Sequence, residues 1–157
     1  MHRFKNLFLI SVLSLFLGAC ASAPVIEIKP FDKSVSFEGD FDQAWSQLVA
    51  FLSTNDISIG TIEKDSGLVT LSGDNLSSAL ISEYCDASAP FLWTLTGGNG
   101  TGSVLMTEDS GFITATVNVR FKGTIFFPQM GQSPPQYRTN PCNSRGAFET
   151  AVLGSLQ

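Results

Sequence analysis

A few residue types in this 157-residue chain could support chemistry: three cysteines, one histidine, two close acidic pairs and one pair of basic side chains. Glu63/Asp65 and Glu108/Asp109 are the acidic pairs, and paired carboxylates run glycoside hydrolysis when they face each other across a cleft. Both pairs flank segments that read as turns, so solvated charge is their expected role. Ser144, followed by Arg145, would be a nucleophile only with a base to take its proton, and none is in view in the sequence. Gly97-Gly98-Asn99-Gly100-Thr101-Gly102 has the composition of a phosphate cradle. A P-loop, however, closes with Lys-Ser/Thr, and a dinucleotide fingerprint opens a helix, whereas Val104-Leu105-Met106 reads as strand. A flexible hairpin loop is the expectation there. Arg120 and Lys122 lie on the polar positions of an alternating segment and are the candidate binding residues.

The first cysteine stands in a different setting. Arg3 and Lys5 precede an eleven-residue, mostly apolar stretch, Leu7 to Leu17, which runs into Leu17-Gly18-Ala19-Cys20. A core this short is a secretory signal rather than a membrane span, which needs about 20 residues. The Leu-Gly-Ala-Cys junction resembles the bacterial lipobox. That resemblance implies removal of residues 1–19, diacylglyceration of Cys20 and acylation of the new N-terminus. Several acyl chains anchor a protein stably where one does so only marginally. Ala21, in place of the Asp that retains lipoproteins in the inner membrane, implies the outer membrane by the same analogy.

Processing at Cys20 changes the composition that matters. Arg3, Lys5 and His2 leave with the signal, so seven basic residues face fourteen acidic ones and the net charge is near −7. An acidic surface excludes nucleic acid as the expected partner and gives no attraction to anionic headgroups. No histidine remains, which removes the commonest general base and metal ligand. No catalytic residue, metal site or cofactor is therefore expected. Cys85 and Cys142 remain, and an even pair in a small exported domain is predicted to form a disulfide. Closing a loop of this length contributes up to about 4 kcal/mol by loop entropy.

The elements that must position these residues are legible in part. Residues 20–33 read as a short tether and 34–157 as one domain. Asp40 and Gln43 make a capping-box-like pair, and Phe41, Ala44, Trp45, Leu48, Val49, Phe51 and Leu52 form one apolar helical face ending at Thr54-Asn55-Asp56. Ile57 to Ile62 and Leu68 to Leu71 form a hairpin, with Gly67 supplying the positive φ of its turn. Leu76, Ala79, Leu80 and Tyr84 have the spacing of a short helix, and Phe91-Leu92-Trp93 could begin a strand. Ile113, Ala115, Val117, Val119 and Phe121 alternate with Thr114, Thr116, Asn118, Arg120 and Lys122, the pattern of a strand buried on one face. Gln129 to Asn140 reads as a long loop, and Asn143 or Ser144 is expected to cap a last helix carrying Ala147, Phe148, Ala151, Val152 and Leu156.

This order predicts an α+β fold: an antiparallel sheet with a long helix and a C-terminal helix packed on one face. Ala44-Trp45 with Leu48, followed by Ile62-Glu63-Lys64-Asp65-Ser66-Gly67-Leu68-Val69, resembles the BamC-like envelope lipoproteins. That resemblance implies a helix-grip arrangement. The run Cys142-Asn143-Ser144-Arg145-Gly146-Ala147-Phe148-Glu149 resembles the Cys-x-Ser-x-Gly-x-x-Glu ending of other small lipoproteins. The expected function is a non-enzymatic outer-membrane lipoprotein that binds an envelope protein partner as a scaffold. The alternative is a module for a small apolar or lipid-like ligand. A cavity between helix and sheet favours the latter, and a solid core with an exposed apolar patch favours the former.

If Cys20 is the processed and acylated residue, Cys20→Ala should accumulate unlipidated precursor, read by intact mass and fatty-acid labelling. A mature N-terminus elsewhere, without label, would contradict the assignment.

Overall fold

The computed structural model describes residues 30–55, 57–129, 131 and 133–157. Cys20, the signal and most of the tether lie outside the described residues. The fold is α+β, with a six-stranded antiparallel sheet and three helices among the described residues. In chain order these are β1 (Ser34–Glu38), α1 (Phe41–Thr54), β2 (Ile59–Glu63), β3 (Leu68–Ser77), α2 (Ser78–Tyr84), β4 (Thr94–Asp109), β5 (Phe112–Phe127), β6 (Gln136–Cys142) and α3 (Ala147–Gly154). The sheet order is β1-β5-β4-β3-β2, and β6 pairs with β5 end to end with β1.

Local chemistry explains α1 and the first hairpin. The Asp40 carboxylate accepts the backbone N–H of Gln43 at 2.8 Å, satisfying one of the free donors of the first turn. Ala44, Trp45, Leu48 and Leu52 are buried at the predicted spacing. The β2–β3 turn holds Gly67 at φ +66°, and its carbonyl accepts from Met106 N at 2.8 Å. A β-carbon there would run into the Met106 carbonyl, so both conformation and close packing require glycine.

The glycine run is not a loop. Residues 97–102 lie in the middle of β4, between β3 and β5. Glycine is unfavourable in a strand unless something approaches closely, and here something does. A β-carbon at Gly98 would run into the Lys122 carbonyl of β5 and sit 2.8 Å from Ile81 Cδ1, and one at Gly123 would sit 2.7 Å from Ala87 Cβ. The bare positions let α2 lie against the sheet, where Ile81 is fully buried. Phe91 and Leu92 form a turn rather than the start of a strand, which begins at Thr94.

Two further expectations are corrected. The predicted loop from Gln129 to Asn140 carries most of β6, whose residues pair with β5 from Gln136↔Phe127 to Cys142↔Phe121. Pro141 is tolerated because β6 is an edge strand. The last helix is preceded not by an Asn143 or Ser144 cap but by Gly146 at φ +82°, with the Phe31 ring packed against it. One core joins Trp45, Leu48, Val69, Ile81, Val104, Val117, Phe148 and Val152, among others.

Gly98→Ala should destabilise the domain by about 1–3 kcal/mol, the usual cost of overpacking, because the new methyl meets both the Lys122 carbonyl of β5 and Ile81 of α2. Urea unfolding measures this. A neutral effect would mean that neither the β4–β5 approach nor the seat of α2 depends on the bare position.

Candidate functional site

The same missing side chains leave a space. Gly73 of β3, Gly100 of β4 and Phe121 of β5 are successive neighbours across the sheet, so two of three positions in this row present no side chain. The result is a cavity of about 260 Å³, lined also by Leu76, Leu80 and Tyr84, with Phe148 from α3 and Asn55 beside the end of α1. Its lining is mostly apolar, with polar groups from Ser58, Ser72, Asp74 and Thr101. The volume lies just below the usual range for small-molecule pockets, about 300 Å³ upward. Val119, predicted to be buried with its alternating neighbours, is only half-buried because it lines this space.

Three aromatic rings make one wall. Tyr84 lies 5.5 Å from Phe121 and 5.6 Å from Phe148, and Phe121 lies 6.0 Å from Phe148, two of the three contacts being edge-to-face. Such pairs add about 0.5–1.5 kcal/mol each beyond area burial. Their positions depend on a cross-linked corner. Cys85, directly after α2, is joined to Cys142 at the end of β6, with Cα atoms 5.8 Å apart. Beside the bond, Arg145 N donates to Tyr84 O at 2.8 Å and Asp86 N to Asn143 O at 3.0 Å. The Asp86 carboxylate accepts from Asn143 N at 2.7 Å and Nδ2 at 2.9 Å, and Arg145 Nη1 donates to Ser82 O at 2.8 Å. Tyr84 and Phe148 are thereby tied to one another across more than sixty residues of chain.

Ser144 does have a carboxylate neighbour that local sequence reading missed. Its hydroxyl donates to Glu149 Oε2 at 2.9 Å and accepts from Gly146 N at 3.1 Å. Glu149 is 0% exposed, and its Oε1 has no hydrogen-bond partner among the described residues. The sealed carboxylate thus holds the half-buried Ser144 hydroxyl and ties the segment before α3 to its first turn. The five-residue spacing across the start of a helix was the available signal. In the Cys-x-Ser-x-Gly-x-x-Glu run, the cysteine cross-links, the glycine takes the positive φ, and the serine and glutamate bond to each other.

The remaining candidates lie apart from the cavity. Asp65 and Glu108 come together at one end of the sheet around an open depression, near an exposed Lys64–Asp42 ion pair of 2.8 Å. Glu63 and Asp109 belong to the same two turns, and the Ser66 hydroxyl is 3.2 Å from the Glu63 carbonyl. Arg120 and Lys122 are exposed on the other sheet face, opposite Thr101 and Asn99, and form no ion pair among the described residues. No group of His, Cys, Asp and Glu side chains among the described residues is arranged to hold a metal.

Fold and site together define an α+β domain with a glycine-floored apolar cavity braced by a disulfide. No protein-family model matches the chain, and no curated protein matches its sequence.

Burial in this wall, with Glu83 adding repulsion, raises the Tyr84 hydroxyl above its ordinary pKa of 10.0. The folded state thus holds the phenolic proton more tightly than the unfolded chain. This stabilising contribution is complete below pH 10 and lost as pH rises through the folded value. Denaturation at increasing alkaline pH should show that fall, and Tyr84→Phe should flatten it. Identical profiles for the two proteins would contradict the assignment.

Proposed function

We propose that this chain is a lipid-anchored envelope lipoprotein whose domain works by binding a small apolar or lipid-like ligand. The observation that carries this reading is the partly open, mostly apolar cavity over Gly73, Gly100 and Phe121. In this reading the domain is helix-grip-like: α1 and α3 lie over the inner sheet face, and the ligand sits between helices and sheet. The cavity's aromatic wall supplies contact area, and its few polar groups orient one end of the ligand. The anchor rests on the Leu17-to-Cys20 junction, and outer-membrane residence on Ala21.

A second reading keeps the scaffold role. It is favoured by the outer sheet face, where Arg120 and Lys122 are exposed beside hydroxyl pairs such as Ser34–Thr116 and Ser36–Thr114, at 2.6 and 2.8 Å. This polar face suits a protein partner better than an apolar ligand.

One comparison separates the two. A β-carbon at Gly73 meets only ordinary contacts, 3.4 Å to Leu76 Cδ2 and 3.6 Å to Gly100 O. Gly73→Val therefore fills the cavity with little strain. Titrated with a medium-chain fatty acid, Gly73→Val should lose about tenfold in affinity, or 1.4 kcal/mol, with circular dichroism unchanged. Arg120→Ala with Lys122→Ala should leave that affinity intact. Equal binding by wild type and Gly73→Val, or none by either, would refute the cavity reading. Loss of a co-purifying envelope protein in the double variant would support the scaffold.

A further inference from the structure

Phe91 is 90% exposed and Leu92 50% exposed, side by side at the tip of a turn closed by Trp93 N donating to Pro90 O at 2.9 Å. Leu92 has φ +68°, a conformation glycine takes freely and leucine only under strain. A leucine held there projects an apolar side chain that the turn itself does not need. Behind the tip, Trp93 packs at a tilt against Phe127, ring centroids 5.2 Å apart, and the Arg138 guanidinium lies 4.9 Å over the Trp93 ring. Tyr137, 66% exposed, packs on Phe126 at 4.9 Å. Apolar tip, tryptophan and tyrosine behind it, and a cation at their level form the sequence of layers that a lipid–water boundary selects.

Charge along the chain points the same way. Residues 87–107 and 110–148 contain no carboxylate but carry Arg120, Lys122, Arg138 and Arg145. The acids nearest this end are Glu83, exposed on α2, Asp86, hydrogen-bonded to Asn143, and Asp74, which lines the depression beside Gly97, so these four cations stand against three carboxylates. The acidic turns at Glu63–Asp65 and Glu108–Asp109 lie at the far end of β4, roughly 45 Å away at about 3.3 Å per residue. An acidic domain that approached an anionic bilayer would be turned with this end toward it.

The tether permits the approach. Val117 N donates to Lys33 O at 2.8 Å, one step beyond the Ser34↔Thr116 pair, so the chain enters β1 from the Phe127 side. Ten residues from Cys20 to Pro30 span at most about 35 Å. The distance along β5 from Phe121 to Phe127 is about 20 Å.

We infer that the Phe91–Leu92 turn, backed by Trp93, Tyr137 and Arg138, is a membrane-docking tip that inserts into the bilayer holding the anchor. This inference rests on the lipid-anchored reading above. The test uses the full lipidated protein reconstituted in phosphatidylethanolamine–phosphatidylglycerol vesicles containing bromine-labelled phospholipid. Flotation with the vesicles reports the anchor, and quenching of tryptophan emission reports the tip. Quenching is expected in wild type, lost in Trp93→Phe, and reduced several-fold in Phe91→Ser with Leu92→Ser, whose exposed sites leave the fold intact by near-ultraviolet circular dichroism. Leu92→Gly should also reduce quenching while raising the thermal midpoint, because it relieves the positive φ. Protein that floats but shows no Trp93 quenching overturns the docking tip, leaves the anchor standing, and assigns the patch to a protein contact. Protein that does not float overturns the anchored reading and the tip with it.

Discussion

Ile81 reaches the sheet because Gly98 carries no side chain, and much of the domain is arranged around that contact. A strand glycine costs roughly 0.5–1 kcal/mol relative to alanine, so a run of four in six residues is tolerable only when burial offsets it. Here the offset is the full burial of Ile81 and the close approach of Ala87 to Gly123. With α2 at that depth, Cys85 reaches Cys142 and Tyr84 reaches Phe121 and Phe148. The row Gly73–Gly100 then remains uncovered, and the cavity is the space α2 does not fill.

The C-terminal corner is the complementary constraint. Short helices are unstable alone, and α3 carries glycine at both ends. It is held by Gly146 against Phe31, by Ser144 bonded to Glu149, and by the ladder between residues 82–86 and 142–146. Burial of Glu149 with one unpartnered oxygen is expensive in isolation, and such a group persists where its surroundings are rigidly specified. The disulfide contributes by limiting the unfolded chain, and the ladder contributes by fixing the aromatic wall in one geometry.

Some of this was legible in the residues. The Asp40 cap, the apolar face of α1, the Gly67 turn and the alternation of Ile113 to Phe121 are local patterns, each enforced by hydrogen bonds or burial within a few residues. The Cys85–Cys142 pairing followed from parity. The glycine run did not read correctly, because glycine signals a loop unless a distant side chain occupies its missing volume. Residues 136–140 failed for a related reason: Gln136-Tyr137-Arg138-Thr139-Asn140 lacks an apolar alternation, and its pairing is supplied by the free edge of β5.

The candidate site divides along the same line. Chemistry that depends on residue type alone was available from the chain: the cysteine after a short apolar core, the scarcity of histidine, the two acidic pairs beside turns. Which residues share a cavity, which serine meets which glutamate, and where apolar side chains emerge were decided only by the tertiary structure. Periodicity and capping report the bonds a segment makes with itself. Gly98 against Ile81 and Ser144 against Glu149 are bonds of volume and hydrogen bonding that exist only after strands and helices have met.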